Sequence, residues 1–380
     1  MAEQSSIAGR AGSRRVAVRA IVLAATLGLL LALLAASSAQ AQVPKSFWGV
    51  LPISSPSPDE FQRMGRANVG TMRLFVVWPD VEPSEDNYDW SFLDYYVANT
   101  AENGIELLPF LYGTPSWAGP KCGKLNAELC ERVPPLTKSA KAAWTDFLQD
   151  FVARYGPAGA FWSENPTIPK VPVTRVQIWN EPSSQTYFRP RPNPKKYGAL
   201  VKLSDAAIAA VDPTVQVVLA GLFPSPELKK TDFTQFLPAL FHVKGIGKHF
   251  DIASFHPYAA TVGKLRKQIK TMRKLLKKGG VGGKPLWITE LGWGSAPPVD
   301  NRPLIKGLEG QKLLLEQSFQ LLEQNATKWK LAGVVWYSFR DPGYGFEGCP
   351  FCESSGLFDV GGNPKPAWPS YVQFTGGSPD

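Results

Sequence analysis

The sequence predicts a single (β/α)8 barrel on three observations. Short apolar runs that read as strands recur eight times along the chain. Segments with apolar residues at helical spacing separate most of them. The runs are nearly continuous in apolar residues, as strands buried on both faces of a parallel sheet are. Strands and helices that alternate in this way favour a barrel with the helices outside.

In chain order, the strand-like runs are Phe47–Ile53, Thr71–Trp78, Ile105–Tyr112, Val173–Glu181, Val215–Leu222, Phe250–Tyr258, Pro285–Trp293 and Leu331–Phe339. Helical spacing is clearest in three sets: Trp144, Phe147, Leu148, Phe151 and Val152; Leu265, Ile269, Met272 and Leu275; and Leu313–Leu322.

A doubly wound open sheet is the alternative to the barrel. That fold is expected to carry a glycine-rich phosphate turn after its first strand, and the stretch after Ile53 is instead rich in Ser and Pro. Two long insertions, Pro115–Pro135 and Asp341–Ser355, follow the third and eighth runs. They are therefore expected at the C-terminal face of the barrel, where barrel enzymes build their sites.

The first 41 residues read as a signal peptide. They contain four arginines, then an uncharged apolar run (Ala20–Ala36) and Ala39-Gln40-Ala41, the small-residue spacing that a signal peptidase recognises. We expect cleavage after Ala41, which leaves residues 42–380 as one secreted barrel domain without stable membrane insertion. An uncleaved N-terminal anchor is the alternative, because the apolar run approaches the lower limit of a spanning helix.

Charge and composition narrow the class of ligand. The formal charge is +9, and removal of the leader leaves +6, a mildly basic surface that does not indicate a nucleic-acid-binding protein. The twelve tryptophans suit flat, amphipathic ligands such as sugars, although most aromatic residues in a large protein fill its core. We expect a monomer that needs neither a metal nor an organic cofactor.

Four cysteines fit an exported protein. Cys122 lies close to Cys130, and Cys349 lies close to Cys352, which favours two local disulfides in surface loops. Four cysteines allow three pairings, and the sequence does not choose among them. A zinc site built from all four thiolates is the alternative. A redox pair at Cys349 and Cys352 lacks the βαβ context that such a motif requires.

The candidate chemistry lies in two glutamates that end buried strands. Glu181 ends the fourth run within Trp179-Asn180-Glu181-Pro182, and Glu290 lies in the seventh within Ile288-Thr289-Glu290-Leu291. In a barrel both face the same mouth. Two facing carboxylates are what cleavage of a glycosidic bond needs, since one protonates the leaving oxygen and the other attacks or activates water. Separate salt bridges at the barrel rim are the structural alternative.

These two motifs resemble the signatures of the clan A glycoside hydrolases, which are retaining (β/α)8 enzymes of cellulase-like and β-xylosidase-like families, here of family 5 or family 39 type. The resemblance spans about Phe47 to Trp368. It implies that Glu181 is the general acid/base and Glu290 the nucleophile, and it gives supporting roles to other residues. Those are Arg73 (contact with the nucleophile), Asn180 (sugar 2-hydroxyl), His256 (site lining), Tyr258 (donor to the nucleophile) and Trp336 (platform under the reacting sugar).

Further aromatic residues are expected at the mouth. Trp117 follows the third run and Trp293 lies just past Glu290. Aromatic faces pack well against the partly apolar faces of pyranose rings, so both are candidate substrate contacts. Packing is the alternative for each of them.

The segment from Lys264 to Lys278 is densely basic. A solvated outer helix face is the simple interpretation. The sharper hypothesis is attraction to an anionic polymer of the cell envelope, which would depend on salt.

The sequence as a whole predicts a secreted glycosidase that cleaves O-glycosidic bonds, expected to be β, of an oligo- or polysaccharide. The alternatives are a transglycosidase or a catalytically weak carbohydrate-binding barrel, either of them acting on an envelope polysaccharide. A cysteine or metal protein built on the four cysteines is a third.

Overall fold

The computed structural model describes residues 43–224, 232–297, 303–345 and 349–380. The expected signal peptide lies outside these residues. Lys45–Asp380 forms one compact unit. Among the described residues, no helix combines the length and apolar character that crossing a membrane would require.

Eight parallel strands form the centre of this unit, which confirms the predicted barrel. They pair in the order β5-β4-β3-β2-β1-β8-β7-β6. Between β5 and β6, bridges at Val218–Ile252 and Leu222–Phe255 complete the ring. The strands are β1 (Trp48–Leu51), β2 (Thr71–Val77), β3 (Glu106–Tyr112), β4 (Arg175–Ile178), β5 (Gln216–Leu219), β6 (Ala253–Phe255), β7 (Leu286–Leu291) and β8 (Leu331–Tyr337).

Helices surround the strands. They are α1 (Pro58–Arg66), α2 (Trp78–Val81), α3 (Ser91–Glu102), α4 (Ala127–Glu131), α5 (Lys138–Tyr155), α6 (Ala160–Glu164), α7 (Pro194–Val211), α8 (Phe233–Phe241), α9 (Val262–Lys278), α10 (Gly307–Gln324) and α11 (Ala367–Thr375). Short 3-10 turns lie at Lys45–Phe47, Ser116–Ala118, Ile246–Lys248 and Cys352–Ser354.

Local sequence explains where the helices begin. Ser57 and Glu60 form a capping box at the start of α1, each side chain accepting from the other's backbone N–H. Thr137 caps α5 and Thr261 caps α9 through their side-chain oxygens. Asn193 caps α7, whose first residue is a proline that needs no N–H partner.

The core lies mainly between the sheet and the helices. Trp48 of β1 stacks on Phe319 of α10, with ring centroids 4.1 Å apart. Inside the barrel, the end nearest the loops after the strands carries polar and aromatic side chains instead. That polar end is the place where a ligand can meet the strands' carboxyl ends.

Candidate active site

Two glutamates meet at the carboxyl end of the barrel. Glu181 lies just after β4 and Glu290 lies within β7. Their carboxylate oxygens approach to within 4.8 Å of each other, and a ring nitrogen of His256 lies within the same distance of both. This separation is close to the ~5–5.5 Å between carboxyl groups that direct attack by one of them requires.

The backbone that presents Glu181 is unusual. Trp179 and Glu181 have φ angles of 72° and 36°, in the left-handed region that non-glycine residues rarely adopt. The side chain of Trp179 holds the turn in place, since its indole is fully buried and donates to Tyr187 O at 2.7 Å. Backbone strain of this kind is often stored at functional sites. Here it turns Glu181 away from the sheet and toward Glu290.

Glu290 is held by two donors. Arg73 Nη1 donates to Glu290 Oε1 and the Tyr258 hydroxyl donates to Oε2, both at 2.7 Å. Burial on its own raises the pKa of the Glu290 carboxyl. The fields of His256 and Arg73 and the hydrogen bonds from Tyr258 and Arg73 outweigh burial, so the pKa lies below its ordinary value. Glu290 is therefore ionised at neutral pH.

Arg73 is itself fully buried and fixed on three sides. Its Nε donates to Gln177 Oε1 at 2.7 Å and its Nη2 to Asn180 Oδ1 at 2.9 Å, in addition to the bond to Glu290. Its guanidinium lies over the ring of Phe110, 3.8 Å from the centroid. A buried cation held in this way fixes the orientation of the Glu290 carboxylate.

Glu181 has a different environment. Burial raises the pKa of its carboxyl above the ordinary value, and the negative charge of Glu290 adds to this effect. The hydrogen bond and field of His256 and the charge of Arg73 oppose the shift without cancelling it. One of two neighbouring carboxyls therefore tends to hold a proton while the other is ionised.

His256 joins Thr289 to the acid. Because Arg73 can only donate, Gln177 presents its oxygen to Arg73, and its NH2 group donates to Leu219 O at 3.0 Å and to Ser254 Oγ at 2.9 Å. His256 Nε2 lies 2.9 Å from Thr289 Oγ1, and His256 Nδ1 lies 2.8 Å from Glu181 Oε1. Because a carboxylate oxygen can only accept, Nδ1 is the donor to Glu181.

Asn180 is oriented by the same logic. Its Oδ1 accepts from Arg73 Nη2, which leaves the amide NH2 group as a donor on the opposite side. Asn180 is buried with only 4% of its surface exposed. The donor is therefore held rigidly next to both glutamates.

The aromatic residues differ from expectation. Trp336 and Trp293 are fully buried, with ring centroids 6.0 Å apart, and their indoles donate to Ser355 O and Ala259 O. Neither offers a face to a ligand. Tyr337, the next residue along β8, takes the place expected of Trp336, because successive strand residues point to opposite faces. Its pKa is raised well above the ordinary value by burial and then by the charge of Glu290, which places Tyr337 beside the nucleophile.

Other rings complete the mouth. Phe351, from the loop after β8, packs 5.0 Å from Tyr258 and 6.2 Å from Tyr337. Phe75 is 38% exposed and stacks on Phe110 at 4.7 Å, so that it covers the ring beneath Arg73. Trp117 is partly exposed at the rim, where its indole donates to Glu82 O at 2.9 Å.

Several residues of this site were not predicted. Gln177 and Thr289 lie within strands, and their only signal is a polar side chain in an apolar run. Gly221 is required by shape, because a Cβ there would lie 2.0 Å from His256 Nε2. The sequence around Gly221 carries no signal of that contact.

The cysteines form two local disulfides, Cys122–Cys130 and Cys349–Cys352, which confirms the favoured arrangement over a zinc site. The second disulfide closes the loop that presents Phe351.

A metal between Glu181, Glu290 and His256 is disfavoured by the donor set. His256 turns an N–H rather than a lone pair toward the glutamates, and Arg73 already supplies a cation to Glu290.

Comparison with known proteins finds glycoside hydrolases. A family model described as beta-galactosidase, of glycoside hydrolase family 42, matches residues 55–122. That segment contains Arg73 but neither glutamate. No curated protein matches the chain.

Solved structures share the fold over most of the chain. A family 39 glycoside hydrolase from Bacteroides cellulosilyticus superimposes with a TM-score of 0.64 at 18% identity, covering 88% of this chain and 64% of that one. A monomeric beta-xylosidase from Caulobacter crescentus gives 0.61 at 19% identity, covering 87% and 68%. Xylanase B from Clostridium stercorarium gives 0.55 at 17%, covering 86% and 96%. The chain thus spans less than two thirds of the family 39 enzyme. The clan A resemblance predicted from the two glutamate motifs is confirmed, and at these identities the neighbours establish a shared fold.

Proposed function

We propose that the protein is a retaining glycoside hydrolase that uses Glu290 as nucleophile and Glu181 as general acid/base. One observation carries the proposal. Two carboxyl groups within 4.8 Å of each other have pKa values displaced in opposite directions by their neighbours. When the pKa values of two carboxyl groups in one site are shifted in opposite directions, the group with the raised pKa acts as the acid and the group with the lowered pKa acts as the nucleophile.

The first step forms a covalent intermediate. An oxygen of the Glu290 carboxylate attacks the anomeric carbon while the bond from that carbon to the leaving oxygen breaks. The proton of Glu181 moves to the leaving oxygen, which departs as an alcohol. The negative charge on Glu290 is neutralised in the resulting ester, and the fixed donors Arg73 and Tyr258 keep its carboxyl group in line for attack.

The second step restores the enzyme. Glu181, now ionised, takes a proton from water, whose oxygen attacks the anomeric carbon and releases Glu290. His256 donates to Glu181 throughout and keeps its carboxyl plane facing the reacting bond. The free NH2 group of Asn180 is placed to donate to a hydroxyl of the same sugar, a contact expected to strengthen in the transition state.

We further propose a β-linked oligo- or polysaccharide as substrate. The mouth presents the rings of Phe75, Tyr337 and Phe351 beside the glutamates, and such faces suit pyranose rings. Structural neighbours include a beta-xylosidase and a xylanase, so β-xylosides are the first substrates to test. The two disulfides fit an exported protein, and we propose export with cleavage after Ala41 and action as a secreted monomer.

The decisive variant is Glu290→Ala, assayed on 4-nitrophenyl β-glycosides. We expect the rate to fall by about 10⁴-fold or more. In Glu181→Ala, azide should instead restore turnover and give a glycosyl azide of retained configuration, because the covalent intermediate still forms. The matched control is Glu309→Ala, which removes an exposed glutamate on α10 and should have no effect.

An unchanged rate in Glu290→Ala would show that the nucleophile is assigned wrongly. Initial release of product with inverted configuration, observed by NMR, would refute double displacement. Preferential transfer of the sugar to an added acceptor rather than to water would identify a transglycosidase that runs the same two steps.

A further inference from the structure

One helix, α9, accounts for the whole net positive charge of the domain. Residues 42–380 have a formal charge of +6, and the 17 residues of α9 contribute +8 with no acidic residue. The remainder of the domain is therefore slightly negative, at −2. A segregation of this kind is not what a generally basic, soluble surface would show.

The cations of α9 point outward together. Its apolar residues Leu265, Ile269, Met272 and Leu276 are buried against the barrel. Packing of this stripe turns the polar side to solvent. The exposed cations there are Lys264, Arg266, Lys267, Lys270, Lys274, Lys277 and Lys278.

Among the described residues, none of these seven cations forms an ion pair with a carboxylate. The eighth cation of α9, Arg273, donates hydrogen bonds to Lys284 O and Gly282 O. Like charges one helical turn apart destabilise a helix, whereas exposed helices usually intersperse the two signs. The charge pattern therefore lowers the stability of the helix. A local rule of stability that is broken in this way is typical of a functional surface.

The spacing suits a polymer with repeated charges. Arg266, Lys270, Lys274 and Lys278 succeed each other every fourth residue, which places them ~6 Å apart along ~18 Å of helix. Arg266, Lys267, Lys270 and Lys274, with Gly263 and Thr271 between them, line a shallow depression of about 340 Å³.

The same surface begins at the catalytic mouth. α9 starts shortly after Tyr258, and the Gln268 side chain of α9 donates to Tyr258 O at 3.1 Å. Tyr258 in turn donates to Glu290. Because α9 follows β6, its N-terminal end lies at the face of the barrel that holds the glutamates, and a polymer bound along the helix has one end at that face.

We propose that the exposed face of α9 is an accessory binding surface for an anionic polysaccharide, which it holds beside the catalytic cleft. The choice of a glycan rests on the proposed glycosidase function. The cationic surface itself rests on the charges and on the position of the helix. Binding would raise the local concentration of enzyme on a charged polymer without a contribution to the chemical step.

The test compares two soluble derivatives of one backbone, carboxymethylcellulose and neutral hydroxyethylcellulose, in affinity electrophoresis and biolayer interferometry. We expect selective binding to the carboxymethyl polymer that weakens steeply with salt, because screening shortens the range of such interactions. Replacement of Arg266, Lys267, Lys270 and Lys274 by Gln should weaken that binding by roughly tenfold or more. Turnover of a neutral aryl glycoside should be unchanged in the same variant.

A matched control removes the same charge elsewhere, by replacing the exposed residues Lys138, Lys141, Lys195 and Lys196 with Gln. This control should bind as the parent protein does. Unaltered binding by the α9 variant, equal loss in the control, or equal binding to the neutral polymer would each overturn the proposal. Binding to duplex DNA or to anionic lipid vesicles as tight as to carboxymethylcellulose would also overturn it. Because binding is measured separately from turnover, the binding result can be interpreted even if the glycosidase assignment fails.

Discussion

Replacement of Tyr258 by Phe tests whether neighbouring donors assign the nucleophile. The Tyr258 hydroxyl lies 2.7 Å from Glu290 Oε2 and stays protonated, because burial and the adjacent negative charge raise its pKa well above the ordinary value. A hydrogen bond to a buried charge is worth ~1.5–3 kcal/mol, and ~1.4 kcal/mol corresponds to one pKa unit. Loss of the hydroxyl should thus raise the pKa of Glu290 by ~1–2 units, with Arg73 still in place.

The assay is the pH dependence of kcat/KM for an aryl glycoside over about pH 3–9, which reports ionisations of the free enzyme. Glu290 must be ionised to attack, so activity is lost as pH falls through its pKa. A raised pKa moves this acidic limb to higher pH by ~1–2 units, while the basic limb set by Glu181 moves less. Tyr337→Phe is the matched control, since the Tyr337 hydroxyl forms no hydrogen bond with Glu290 in the described structure. An acidic limb that stays in place in Tyr258→Phe, or moves equally in Tyr337→Phe, would refute the reasoning.

Two further variants test the supports of the site. Thr289→Val removes the hydrogen-bond partner of His256 Nε2 and should lower kcat roughly 10- to 100-fold with little change in KM. The control Thr100→Val replaces a buried threonine that hydrogen-bonds to backbone carbonyls, and it should leave both constants unchanged. Equal loss in the two variants would show that the bond between Thr289 and His256 does not position His256. Lys365 Nζ lies 2.6 Å from the buried carboxylate of Asp341, so Lys365→Met leaves that carboxylate without its cation. The free energy of unfolding, measured by denaturant titration, should fall by about 3–5 kcal/mol. The double variant Lys365→Met/Asp341→Leu should recover most of that loss, and a double variant as unstable as the single one would refute an uncompensated charge as the cause.

The fold was predictable because its signals are local. Each strand of a parallel barrel is buried on both faces and reads as an apolar run, so all eight could be located without tertiary information. Their ends were less certain. The fourth run was predicted to extend to Glu181, whereas β4 ends at Ile178 and the chain turns through positive φ at Trp179 and Glu181. Nothing in the sequence around Trp179 indicates that turn, because the turn is stabilised by tertiary burial of the Trp179 indole.

The sequence predicted those residues of the candidate site that are polar and end an apolar strand. It did not predict the residues whose direction, toward the mouth or toward the helices, depends on the register of the strand. Trp336 and Tyr337 are adjacent aromatics at the end of β8, and either could face the mouth. β8 pairs with β7 through an irregular register between Ile288 and Leu291, which a single sequence cannot reveal. A shift of one residue exchanges the two faces of a strand, so the tryptophan lies among the helices and the tyrosine faces the glutamates. Phe351 reaches the site from a loop closed by a disulfide, and no local pattern could place it there.

The two glutamates are chemically identical, so their different roles must come from unequal neighbours. Of the two glutamates, Glu290 receives the hydrogen bonds from Arg73 and Tyr258, whereas Glu181 receives its hydrogen bond from His256. Burial raises the pKa of Glu181, and the positive charge of Arg73 opposes that rise. Arg73 also bonds to Asn180, the residue that precedes Glu181 in the chain. The same buried cation therefore stabilises the charge on the nucleophile and influences the ionisation of the acid. Loss of Arg73 should consequently disturb both limbs of the pH profile, whereas loss of the Tyr258 hydroxyl should disturb mainly one.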